Sequence, residues 1–142
     1  LSKTLIVTLT IALMTVACSS SPTDAYNRMV AAAQLDDRES FVESFTENSR
    51  HLVAASLALS DDYGPKKSAP YRMLVHTEVL DEESGEAEAV PGKSGEERDV
   101  AYIVVQVAQG KRRIKMVKED GDWRIDALDL EAFWADRKNF RF

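Results

Sequence analysis

Residues 100–128 read VAYIVVQVAQGKRRIKMVKEDGDWRIDAL, and the period of this stretch decides the fold class. From 100 to 107 the chain is nearly continuously apolar and β-branched, the composition of a strand inside a sheet. Gln109, Gly110 and Lys111 form a turn, and 112–119 return as a second strand, with Ile114 and Met116 on one face and Arg113 and Lys115 on the other. Asp120-Gly121 is a tight-turn dipeptide, after which Trp123, Ile125 and Ala127 alternate in a further strand. Strands joined by turns this short pair antiparallel.

Working toward the N-terminus, 71–80 is rich in β-formers and predicts the first strand of the sheet. The acidic interval 81–99 contains Gly85, Pro91, Gly92 and Gly95, and reads as a long mobile hairpin loop with room for a short strand inside. Before it, Asp61 to Pro70, with Gly64 and Pro65, ends a half of the chain that has a different period. Ser21-Pro22-Thr23-Asp24 is a helix start: Ser21 caps, Pro22 suits the first helical position and Asp24 completes a capping box. Tyr26, Met29, Val30 and Ala33 then lie on one helical face. Asp36 or Asp37 starts a second, short helix with Phe41, Val42 and Phe45 on its apolar side, and a third runs from Thr46 to Leu59. At the other end, 128–134 reads as a closing helix or edge segment.

Helices followed by a run of antiparallel strands define an α+β domain, with N-terminal helices packed on one face of a mainly antiparallel sheet. The chain has 142 residues, of which 44% are hydrophobic and 30% charged, a balance that supports one core and one domain over 22–142. A net charge of -6 argues against nucleic-acid binding, which depends on neutralising phosphates with Lys and Arg.

The first 21 residues are of another kind. Leu1-Ser2-Lys3 is followed by the apolar run TLIVTLTIALMTVA, and then Cys18 and a Ser-Ser-Ser-Pro tether. A basic start, an apolar core and small residues before a cut make the order of a secretory signal, and the run is shorter than the ~20 residues that span a bilayer. Cys18 is the sole cysteine, so no intrachain disulfide forms. Val16-Ala17-Cys18 resembles the lipobox of bacterial lipoproteins, with Thr15 where that family usually has Leu. The resemblance implies that 1–17 is removed, that Cys18 is lipidated, that 18–21 is a tether and that the chain is held to a membrane of the cell envelope. Ser19 after the cysteine implies, by the same family's sorting rules, the outer membrane facing the periplasm.

A second resemblance covers roughly 22–130. The opening SPTDAYNRMVAAAQLDDRESFVESF and the closing RRIKMVKEDGDWRIDAL look like small domains of the nuclear transport factor two superfamily, also called SnoaL-like or cystatin-like cones. That family implies a strongly curved sheet wrapped around helices, with a conical cavity at one end. Its members include enzymes, ligand binders and dimerising scaffolds, so activity has to be argued from side chains.

The side chains that bear on activity are few. His51 reads as an exposed helix histidine, His76 faces either the sheet interior or water, and Asp126 reads as solvated. There is no HExxH, GxSxG or paired-cysteine zinc pattern, and no cofactor is expected. Lys111, Arg112, Arg113, Lys115 and Lys118 form the one basic run. It reads first as the charged solvent face of a half-buried strand and second as a patch for anionic headgroups, cell-wall polymer or an acidic partner. Phe133 and Trp134 are expected to cover the sheet, and Phe140 and Phe142 to dock or join a dimer contact. The expectation is a lipid-anchored binding or interaction module for an envelope protein or small apolar ligand, with His76, Arg113 and Lys115 as candidate cavity or surface residues and a homodimer as one assembly. The competing reading is a small-molecule isomerase or hydrolase that uses the cone.

Overall fold

The structure, a computed structural model, describes residues 20–59, 78–107 and 110–128. The leader with Cys18, residues 60–77 with His76, and the tail with Phe133, Trp134, Phe140 and Phe142 lie outside the described residues.

The predicted capping box starts helix α1 (Pro22–Gln34). Ser21 Oγ accepts from the Asp24 amide at 3.1 Å, and the Asp24 carboxylate accepts from the Ser21 amide at 3.3 Å. The predicted stripe faces inward: Tyr26, Met29 and Ala33 are buried and Val30 is half-buried, while Ala25 and Ala32 widen the contact. Of the two aspartates that follow, Asp36 takes the left-handed turn at φ 58°, a conformation aspartate tolerates. Asp37 caps α2 (Arg38–Glu43) by accepting from the Ser40 amide and hydroxyl. Helix α3 (Glu47–Leu59) buries Ser49, Val53 and Leu57, one turn apart from each other.

The strands are β1 (Glu78–Ser84), β2 (Glu88–Ala89), β3 (Glu97–Arg98), β4 (Val100–Val107), β5 (Gly110–Glu119) and β6 (Asp122–Ile125). Four of them form a curved antiparallel sheet in the order β1-β4-β5-β6, and β2 and β3 form a separate pair. The architecture is therefore the expected single α+β domain. In the β4–β5 register Ala101 opposes Met116 and Ile103 opposes Ile114, so these side chains share the face against which the helices pack. Tyr26, Met29, Phe41, Phe45, Ile103, Met116 and Ile125 are all fully buried there, and they fill the interface between helices and sheet.

One expectation about the middle of the chain needs correction. β1 does not end near Leu80 but continues to Ser84 through Asp81, Glu82 and Glu83, with a bulge between Val79 and Asp81. Among the described residues β1 pairs only with β4, and on such an edge strand acidic side chains are tolerated because one of its sides is open to water and to partners on other elements. The interval after it is a hairpin loop, as expected, with two short strands inside and most of its side chains exposed. Glu88 pairs with Arg98 and Ala89 with Glu97, and this short hairpin folds back toward β5.

The helical half joins the sheet along β6. Between α2 and α3 the chain runs beside β6 for a few residues: the Ile125 amide donates to Ser44 O and the Thr46 amide to Ile125 O, both at 2.9 Å. Phe45, between these bonds, points into the core and meets Phe41 edge-on at 5.2 Å. Ser49 Oγ accepts from the Ala127 amide at 3.0 Å and lies 2.6 Å from Thr46 Oγ1, so the two buried hydroxyls at the start of α3 are satisfied at the same seam. Phe45→Ala removes the ring around which this seam closes. The expected loss is about 3–5 kcal/mol, read from urea unfolding, with a larger loss than for Phe41→Ala if the seam is the main joint.

Candidate functional site

The face of the sheet turned away from the helices carries the candidate site. Register places Val100 opposite Val117, Tyr102 opposite Lys115 and Val104 opposite Arg113 on this face. Val100 and Val117 are nonetheless buried, so the outer face is covered near the start of β4. The hairpin of β2 and β3 lies there. Its root, Gly85, donates to Val100 O at 2.9 Å and approaches so closely that a Cβ would stand 2.8 Å from Val100 Cγ1 and 2.9 Å from the Tyr102 ring.

Arg113 and Lys115, which alternation puts on one face, have different environments. Arg113 keeps a 57% exposed side chain, pairs with Glu83 across the sheet at 2.9 Å and lies over the Tyr102 ring at 4.0 Å. It fits the reading of a charged solvent face. Lys115 does not: its side chain is 17% exposed, its Nζ donates to Glu88 Oε2 at 2.5 Å, and it lies 3.7 Å from Asp126. Asp126 is likewise not solvated, with only 13% of its side chain exposed. The reason is that the β5–β6 ladder extends past Ile125, where the Asp126 amide donates to Lys115 O and brings the carboxylate beside Lys115. His51 is exposed in α3, as read from the sequence. Cys18 and His76 lie outside the described residues.

Three residues that sequence reasoning missed complete the arrangement. Arg98 on β3 sends Nε and Nη2 to Glu88 Oε1, at 3.0 and 2.7 Å, while Nη1 lies 3.6 Å from Glu119 on β5. Both oxygens of Glu88 are thus engaged, one by Arg98 and the other by Lys115. Glu119 also accepts from the Glu47 amide at 3.1 Å, so the same carboxylate serves the N-terminus of α3, where helix amides lack internal partners. A signal for the hairpin was present: Val90-Pro91-Gly92 and Gly95 form a turn region flanked by Glu88-Ala89 and Glu97-Arg98.

No protein family and no curated protein matches this chain. The chemistry of the site therefore rests on its own side chains. Burial pushes the Glu88 carboxyl up, but the hydrogen bonds from Lys115 and Arg98, together with their charges, outweigh it and hold the group below its ordinary value. A carboxyl that titrates lower folded than unfolded contributes its full stabilisation above the ordinary carboxylate range, and loses it as pH falls through the folded value.

Beside this network a groove of about 430 Å³ runs between the hairpin, the start of α3 and the β5–β6 turn, lined mainly by polar groups including Glu47, Glu97, Arg98, Glu119 and Asp120. A second hollow of about 380 Å³ lies at the end of the sheet between Pro22, Gly85, Val100 and Trp123. Among the described residues no group of His, Cys, Asp or Glu is arranged to hold a metal, and no helix is long and apolar enough to cross a membrane. The arrangement fastens a hairpin to a sheet and borders it with a polar groove. A double-mutant cycle on Glu88→Gln and Lys115→Met should return a coupling of about 1 kcal/mol in chemical denaturation, and values near zero would show that the pair is not a fastening.

Proposed function

We propose that this chain is a lipid-anchored protein of the cell envelope, held through Cys18, whose α+β domain works as a binding or interaction module at the outer membrane's periplasmic face. One observation carries the reading: the sole cysteine stands between an apolar leader and a Ser-rich tether. The start of the folded domain agrees with it. Ser21 caps α1, and Arg28 donates to Ser20 Oγ at 2.9 Å, so a lipidated Cys18 is tied two residues from a fixed point of the domain.

Each buried methylene of an acyl chain contributes about 0.8 kcal/mol, and two or three chains hold a water-soluble domain firmly at a surface. The helix–sheet arrangement is in keeping with a domain of the nuclear transport factor two kind. Its interior supports the binding reading over catalysis in a cone, because Tyr26, Met29, Phe41 and Phe45 occupy the space between helices and sheet. Recognition then falls to the outer surface, where the polar groove beside Arg98 and Glu119 offers mixed charge to an envelope protein.

The test is expression of the full chain in a Gram-negative host beside Cys18→Ala, with intact-mass analysis and membrane fractionation. The wild type is expected in the membrane fraction with the leader removed and the mass of a diacylglyceryl group plus an acyl chain, and the variant in the soluble fraction. A wild type without acyl mass that is as soluble as Cys18→Ala would sink the anchoring claim.

A further inference from the structure

We propose that the β2–β3 hairpin is an ionically latched strap, closed over the outer face of the sheet at neutral pH and released by acid. The hairpin has little to hold it shut on its own. Its ladder is two residue pairs, most of its side chains are exposed, and at its tip Gly92 and Gly95 take positive φ. Backbone bonds pin it at its two feet, where the Gly85 amide donates to Val100 O at 2.9 Å and the Lys118 amide to Asp99 O at 3.0 Å. Between the feet and the tip, the fastenings are side-chain ion pairs: Glu88 with Lys115, and Arg98 with Glu119.

The charged groups facing Glu88 come from three elements. Arg98 reaches it from β3 and Lys115 from β5, while Glu119 on β5 and Asp126 after β6 each lie near one of those cations. This distribution makes the latch directional. When Glu88 is protonated it no longer holds Lys115, and Lys115 has Asp126 as a neighbour that belongs to the sheet. Among the described residues Arg98 keeps Glu119 as its anionic partner, a longer contact at 3.6 Å whose carboxylate is shared with the α3 amide of Glu47. The groups are largely withdrawn from solvent, so salt screens them less than it screens surface pairs. Swinging on Gly85 and Asp99, the open strap keeps Gly85 against Val100 and Tyr102 and uncovers the rest of the outer face beneath it, Val117 above all, which is buried in the closed form. The molecule thus holds an apolar strip of β-sheet out of solvent until carboxylates are neutralised.

The test is amide hydrogen exchange on the detergent-solubilised full chain, followed by mass spectrometry or NMR from neutral to acid pH and corrected for the intrinsic pH dependence of exchange. Protection of the 86–98 amides is expected to fall about tenfold through the carboxylate range, the loss of a charge-assisted hydrogen bond, while amides of β4 and β5 keep theirs. Glu88→Gln is expected to show the lowered protection at neutral pH with little further change in acid. The proposal is overturned by hairpin protection that persists in acid, by Glu88→Gln with wild-type protection at neutral pH, or by hairpin and β4–β5 amides losing protection together in the wild type. Should Glu88→Gln disturb β4 and β5, the wild-type pH series decides alone.

Discussion

The two hydrogen bonds between Ile125 and the chain on either side of Phe45 hold the architecture together. Without them, the helices would be a small amphipathic cluster and the strands a meander with its β6 edge open. With them, the short linker between α2 and α3 acts as an additional strand along β6, closes that edge and commits Phe45 to the interior. Helix α1 completes the enclosure by laying Tyr26 and Met29 across the inner face of the sheet. The buried hydroxyls of Thr46 and Ser49 are tolerated there because each has a partner, one of them the amide that follows β6.

Carboxylates act as joints elsewhere. Glu82 on β1 accepts from both the amide and the hydroxyl of Thr23 at 2.8 Å, so the edge strand fixes the start of α1. Glu119 on β5 does the same for α3 through Glu47. In both, a negative side chain on a strand meets amides with no partner inside their helix, and the helix dipole adds to the attraction. An acidic composition that says little as a net charge thus becomes specific once the strands carry it to the helix ends.

What could be read from the sequence was what periodicity and local chemistry encode. The Ser21 capping box, the Tyr26–Met29–Ala33 stripe, and the alternation that buries Ile114, Met116, Ile125 and Ala127 are each set within a few residues, and each is found. The fold class followed from them. The electrostatic network did not, because Glu88 meets Lys115 across 27 positions, and no local pattern shows which of many charged residues will meet. Alternation likewise put Arg113 and Lys115 together, and only the hairpin above Lys115 separates them. The extension of β1 was hidden for a related reason: an edge strand can be as acidic as a loop when its carboxylates find partners on other elements, as Glu82 does on Thr23 and Glu83 on Arg113.

Gly85 has an evolutionary consequence. Because any β-carbon there would press on Val100 and Tyr102, the root of the hairpin is closed to substitution without rearrangement of β4. The tip obeys another rule: nothing lies within 4 Å of where a side chain at Gly92 or Gly95 would begin, so backbone conformation at φ 76° and not space limits substitution there, and lengthening a turn adds little closure entropy. Descendants of this chain are thereby free to lengthen the tip while keeping glycine, or a residue that tolerates the left-handed region, at its two turns, and they inherit the root unchanged, as a graft is renewed on an old stock.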